Sequence, residues 1–185
     1  MIDETKRARL IDLLRELSFE HRRVVLASGR ESDFFIDCKQ TILTAEGHAL
    51  VGELMFQALD ELPTCDAVGG VELGGCPLAS AVSLISFQKG RPLAGFYVRK
   101  QRKDHGTSKL VEGDKSLKPG ARIVLLEDVV TTGGSSLKAV QTLKEAGAVV
   151  VGIIALVDRQ EGGAETIREA GLPLFTLSTR SDFMS

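Results

Sequence analysis

Two hydrophobic periodicities divide the chain. Leu10, Leu13, Leu14 and Leu17 recur at helical spacing between charged positions, and Leu50, Leu54 and Leu59 do so again, which predicts amphipathic helices over residues 3–17 and 45–59. Between them lie two strand-like stretches, Val24-Val25-Leu26 and Phe34-Phe35-Ile36-Asp37, separated by the turn Ser28-Gly29-Arg30-Glu31-Ser32. From Asp66 onward the pattern changes. Short apolar runs at 67–68, 93–98, 123–126, 149–157 and 174–177 alternate with helical spacings at 78–87, from 137, and at 164–170. Such alternation predicts an α/β fold, a Rossmann-like parallel sheet with right-handed crossovers and flanking helices. Residues 1–62 fall outside it and read as a small cap on that sheet. With no repeat, linker or low-complexity segment, residues 1–185 read as a single domain.

The most informative stretch is Arg-Ile-Val-Leu-Leu-Glu-Asp-Val-Val-Thr-Thr-Gly-Gly-Ser-Ser at 122–136. Its apolar run, 123–126, has the look of a strand covered on both faces, and the sheet is expected to stop where Glu127 and Asp128 begin. A helical pattern through Leu137, Val140 and Leu143 follows, so the Thr131–Ser135 loop opens a helix. Unpaired N–H groups, the helix dipole, and the Thr and Ser hydroxyls together make a cradle for a phosphate. Two adjacent carboxylates would repel that phosphate unless they had another task. Accepting hydrogen bonds from a ribose 2′,3′-diol is one, and a divalent cation could share the load. The competing reading is a strand-to-helix loop with acidic capping residues.

Residues 99–118 interrupt the alternation with a long polar segment carrying Arg99, Lys100, Arg102, Lys103, His105 and Lys109. Segments this long without apolar periodicity are uncommon unless functional or disordered, and the five cations Arg99, Lys100, Arg102, Lys103 and Lys109 could neutralise a polyphosphate; a solvated charged loop is the alternative.

Composition narrows the classes. The chain is 43% hydrophobic with a mean hydropathy of +0.07, which is ordinary for a globular protein, and its net charge of −2 provides no global field for nucleic acid. Cys38, Cys65 and Cys76 lack CxxC spacing and fit a reducing compartment better than a disulfide framework or zinc site. No stretch reaches the roughly 18 apolar residues of a membrane span, and the N-terminus lacks a signal-like apolar region, so a cytoplasmic protein without membrane or nucleic-acid partners is expected.

The string Val124 to Ser135 resembles the phosphoribosyl-pyrophosphate (PRPP) motif of the type I phosphoribosyltransferases. Four further stretches, 26–37, 70–79, 98–106 and 156–159, resemble the orotate phosphoribosyltransferases within that family, and the likeness covers most of the chain from about Ser18 to Arg159. The resemblance implies the type I phosphoribosyltransferase fold with a flexible loop over the site. It implies transfer of ribose 5-phosphate from PRPP to orotate, giving orotidine 5′-monophosphate and diphosphate in pyrimidine synthesis. Arg99, Lys100, Lys103 and His105 would contact the diphosphate, Glu127 and Asp128 the ribose hydroxyls, and Val129, Val130, Thr131, Thr132, Gly133, Gly134 and Ser135 would complete the PRPP site. Lys103, His105 and Asp128 would be catalytic. Thr131 and Arg159 would touch orotate, with Phe34 and Phe35 forming its pocket. Mg²⁺ would be the cofactor, held mainly through PRPP with no direct protein ligand. A homodimer is implied as well, with loop 99–109 shared across subunits.

The chain departs from the family pattern at three places. Ala27 replaces a lysine of the first motif, Glu72-Leu73 lacks a basic residue that some members carry nearby, and Glu127 replaces an aspartate found in many relatives. The loop cations would then supply more of the charge offered to PRPP. The alternatives are a phosphoribosyltransferase for another base, such as adenine or uracil, and a PRPP-sensing regulator without catalysis.

Overall fold

A computed structural model describes residues 1–25, 31–100 and 110–184. Its centre is a six-stranded sheet of order β5-β4-β3-β6-β7-β8. The strands are β3 (Ala67–Val71), β4 (Ala94–Val98), β5 (Val111–Glu112), β6 (Arg122–Val130), β7 (Val149–Asp158) and β8 (Leu174–Thr179). All neighbours pair in parallel except β5, which lies antiparallel on the edge of β4. The crossovers carry α4 (Gly75–Gln88), α5 (Gly134–Glu145) and α6 (Gly163–Glu169).

Strand β6 shows why the middle of the sheet reads as an unbroken apolar run. Ile123, Val124, Leu125 and Leu126 are all fully buried, and the strand's alternation sends Val124 and Leu126 into one core and Ile123 and Leu125 into the other. Each such side chain contributes about 1.5–3 kcal/mol by leaving water.

The N-terminal segment contributes α1 (Glu4–Leu17), the antiparallel pair β1 (Phe19–Val25) and β2 (Glu31–Ile36), the short α2 (Lys39–Ile42) and α3 (Ala45–Ala58). Leu10 and Leu14 of α1 and Leu54 and Met55 of α3 share one continuous core with Val124, Leu126, Ile154 and Leu156 of the sheet. The segment therefore covers one sheet face, and α3 stacks on α4 as part of that layer. Asp3 caps α1 by accepting from the Lys6 N–H, and Thr44 caps α3 by accepting from Gly47. Leu17, expected on the buried stripe, is 41% exposed in the last turn of α1.

Two expectations are corrected here. The sheet does not end at the acids: β6 continues through Glu127 and Asp128 to Val130, still paired to β7 as far as Val130 opposite Asp158. Only the β3 side stops, at Leu126 opposite Gly70. The 99–118 segment is also interrupted by structure, the strand β5 and a single 3₁₀ turn at Asp114–Ser116.

Candidate active site

That one-sided end of β6 creates the site. Beyond Gly70 and Val71 the chain of β3 turns through residues 72–74 into α4, leaving Glu127 and Asp128 with a strand on one side and a turn on the other. The Asp128 carboxylate lies against the backbone of Gly74 so closely that a Cβ there would meet Oδ2 at 1.8 Å. Only glycine lets the two approach.

The two acids differ in environment. Glu127 is 4% exposed and accepts a hydrogen bond from the Ser136 hydroxyl at 2.7 Å, which ties the strand to the first turn of α5. Burial pushes its carboxyl up to about 7, with Ser136 opposing and the Asp128 charge adding to the rise. Asp128 is half-buried, and burial raises its carboxyl too, while its own Val129 N–H at 3.0 Å and the charges of Lys39 and Lys100 work the other way. The Lys39 ammonium, paired to Asp37 at 2.5 Å, brings a cation towards Asp128 from a position with no motif around it.

After Val130 the chain makes its turn with Gly133 at φ +79°, a left-handed conformation, packed 3.1 Å (as a built Cβ) from the Gly163 carbonyl. Leu137 makes the first helical bond of α5, to the Gly133 carbonyl at 3.0 Å. The N–H groups of the turn before it therefore point out of the helix end, as at any α-helix N-terminus. Thr132, Gly134 and Ser135 are exposed, Thr131 is half-buried, and Val130 and Gly133 are buried supports. Ser136, which the sequence reading passed over, is the residue that joins the cradle to Glu127. Its separation of nine positions from Glu127 matches neither a helical nor a strand repeat.

A cavity of about 260 Å³ connects this cradle to the root of the basic segment, lined among others by Val98, Arg99, Lys100, Ser135 and Lys138. Arg99 pairs with Glu112 of β5 at 3.2 Å, and Glu72 accepts the Lys100 backbone N–H at 2.5 Å. Glu72, which stands near a basic position of some relatives, thus organises the exit of β4. Lys103 and His105 lie outside the described residues, as do Ala27 and Arg102.

On the other side of the cradle stands a cluster built from distant pieces. Phe34 is wholly buried, its ring 5.1 Å from Phe19 and 5.9 Å from Phe183, with the guanidinium carbons of Arg159 and Arg180 at 5.5 and 5.7 Å. It forms a support behind the site rather than an open face. Phe35 points to the opposite side of β2, half-buried under Arg22 at 4.2 Å. Arg159, 8% exposed at the end of β7, donates to the Phe34 carbonyl at 3.0 Å and pairs with Glu161 at 2.8 Å. Arg180 pairs with Asp33.

Two acids and a glycine turn opening a helix stand together at the carboxyl edge of a parallel sheet, where such folds hold their ligands, and residues 40–170 match the family model of the phosphoribosyl transferase domain. The orotate phosphoribosyltransferase of Sorangium cellulosum is 70% identical over 97% of this chain and 94% of its own. Among solved structures, the Mycobacterium tuberculosis H37Rv orotate phosphoribosyltransferase in complex with Fe(III) dicitrate superposes with a TM-score of 0.82 at 38% identity, covering 97% of this chain and 99% of that one. The same enzyme in complex with PRPP gives 0.78 at 35%, covering 96% and 98%. The chain belongs to the orotate phosphoribosyltransferase family.

Proposed function

We propose that this chain transfers ribose 5-phosphate from PRPP to a ring nitrogen of orotate, giving orotidine 5′-monophosphate and diphosphate in pyrimidine synthesis, and that the β6–α5 junction is its PRPP site. The observation that carries the reading is the placement of Asp128 beyond the reach of β3, in one segment with the α5 N-terminus. The 5′-phosphate sits on the N–H groups and hydroxyls of Thr131, Thr132, Gly133, Gly134 and Ser135. Asp128, the more accessible acid, accepts from the ribose diol, and Glu127 supports it from the Ser136 side.

Breaking the C1′–O bond leaves positive charge on the ribose and negative charge on the diphosphate, so rate is gained by stabilising both. Asp128 lies on the ribose side. Arg99 and Lys100, together with Lys103 and His105, would neutralise the charge of the leaving group. Arg159 offers a planar fork to the orotate carboxylate, while Thr131 meets the base where it meets the phosphate turn. Phe34 holds that arginine in place through its carbonyl and ring.

Mg²⁺ would be carried in on PRPP and held mainly through it. When bound, the ion supplies charge neutralisation at the diphosphate.

The functional unit we propose is a cytoplasmic homodimer. Leu84, Phe87 and Tyr97 are 55, 73 and 37% exposed around a groove of about 420 Å³ on the α4–β4 face. Large apolar side chains gathered like this call for a partner, and β4 runs from that face directly into Arg99. A second copy seated there would lie beside the root of loop 99–109, where sharing of the loop becomes possible. No helix among the described residues is long and apolar enough to cross a membrane.

The test is direct: purified protein, Mg²⁺, PRPP and orotate are mixed and the loss of orotate absorbance is followed. Turnover of orotate with none of adenine or uracil is expected; turnover of another base alone would overturn the assignment.

A further inference from the structure

The turn after β7 returns a carboxylate to the arginine proposed to recognise orotate. Arg159 is followed by Gln160, a non-glycine residue in the left-handed region at φ +55°. Three bonds hold that conformation: the Gln160 N–H donates to Asp158 Oδ1 at 2.8 Å, and the Gln160 side-chain oxygen accepts from the Ser181 hydroxyl at 2.8 Å and its N–H at 3.2 Å. On the far side, Gly163 is pressed against the Thr131 carbonyl, where a built Cβ would stand at 2.6 Å. The turn that carries residue 161 is thus held at both ends, at Gln160 and at Gly163.

Glu161 occupies that position with its side chain only 11% exposed and Oε1 2.8 Å from the Arg159 guanidinium. The pairing is close but poorly directed. Neither Glu161 oxygen accepts an aligned hydrogen bond among the described residues, although both are shielded from solvent. A buried carboxylate with unmet acceptors is held weakly compared with one received bidentately by a guanidinium fork.

We infer that Glu161 is an internal stand-in for the substrate carboxylate and a specificity-determining residue: it neutralises Arg159 until a base bearing its own carboxylate displaces it. This inference rests on the reading that Arg159 receives orotate. A base without a carboxylate cannot replace the charge partner it would push aside, and leaving one member of a buried ion pair alone is strongly unfavourable. Orotate replaces it with better geometry. Discrimination is gained at some expense in orotate affinity, because Glu161 must first be moved.

Steady-state kinetics of Glu161→Gln test this. Removal of the competing charge is expected to lower the KM for orotate about tenfold, with kcat and the KM for PRPP changing much less. A residue that merely braced Arg159 would give the opposite sign. Parent turnover of orotate and a raised orotate KM in Arg159→Gln establish the underlying reading. With those in hand, an orotate KM in Glu161→Gln that is unchanged or higher overturns the inference alone. An orotate KM insensitive to Arg159→Gln overturns the reading and the inference with it. Should Glu161→Gln not fold, a crystal structure of the unaltered protein with orotate decides: the Glu161 carboxylate is expected beyond 4 Å from Arg159, and its retention at the ion-pair distance contradicts the proposal.

Discussion

The two halves of the proposed site, one for PRPP and one for the base, are built in opposite ways. The PRPP half is one continuous segment, β6 through the first turn of α5, in which strand, acids, turn and helix end follow in order. The half proposed for the base is assembled around Arg159 from Phe34 and Glu161, with Arg180 packed against the same ring, and Arg159 and the Phe34 carbonyl it holds are separated by 125 positions. A local segment can present a phosphate site by backbone geometry alone, since N–H groups at a helix end need no side-chain partner. Recognition of a base needs directed side chains, and these must be held by contacts from elsewhere in the fold. Both arginines there meet a carboxylate of this same chain, Glu161 for Arg159 and Asp33 for Arg180.

The largest effect is expected from Asp128→Asn. It keeps the shape against Gly74 and removes the charged acceptor proposed for the ribose, so kcat/KM should fall by about 10²–10³ while the thermal midpoint is held. Parent-like kinetics would remove Asp128 from the PRPP half.

Glu127→Gln probes the same half through stability. The Glu127 carboxyl is raised to about 7 in the folded protein, from 4.5 when unperturbed. Below the lower value both states are protonated and nothing is gained or lost. As pH rises between the two values the unfolded state loses its proton first, so the folded state weakens relative to it, by on the order of 3 kcal/mol once pH passes the folded value. Glu127→Gln should therefore flatten the decline in stability between about pH 4.5 and about pH 7, measured by urea unfolding. An equally steep decline in the variant would place its source elsewhere.

Gly74→Ala asks whether position matters as much as charge. A Cβ at that site collides with the Asp128 carboxylate. Displacement of the acid by about 1 Å should cost roughly ten- to a hundredfold in turnover, with Asp128 chemically intact. A variant as active as the parent would show that the carboxylate has room to move without loss.

The same division decides how much could be read from the sequence. The helices over 4–17 and 45–58 and the βα alternation follow from apolar spacing, because burial against a sheet imposes that spacing. The turn at 131–135 that opens a helix was legible for a similar reason: its residues are neighbours in sequence as well as in space. The strand character of Glu127 and Asp128 was not legible, since acids read as solvent-facing while here β7 still pairs beside them. Strand β1 begins at Phe19 and runs through Glu20, His21 and Arg22, exposed polar residues of a hairpin that carry no apolar alternation. Strand β5 is two residues long, too short for any period. Phe34 looked like an open pocket wall, whereas its burial depends on Phe19, Phe183 and two arginines brought in by the fold. Ser136 and Glu161 belong to the same class, polar residues whose partners only the tertiary structure supplies.

The most direct test of the two-halves account is calorimetric titration of PRPP with Mg²⁺, in the absence of base, into the parent, Asp128→Asn and Arg159→Gln. The account predicts PRPP affinity weakened at least about tenfold in Asp128→Asn, a loss of 1.4 kcal/mol or more, and unchanged in Arg159→Gln. Equal weakening in both, or weakening in Arg159→Gln alone, would contradict it.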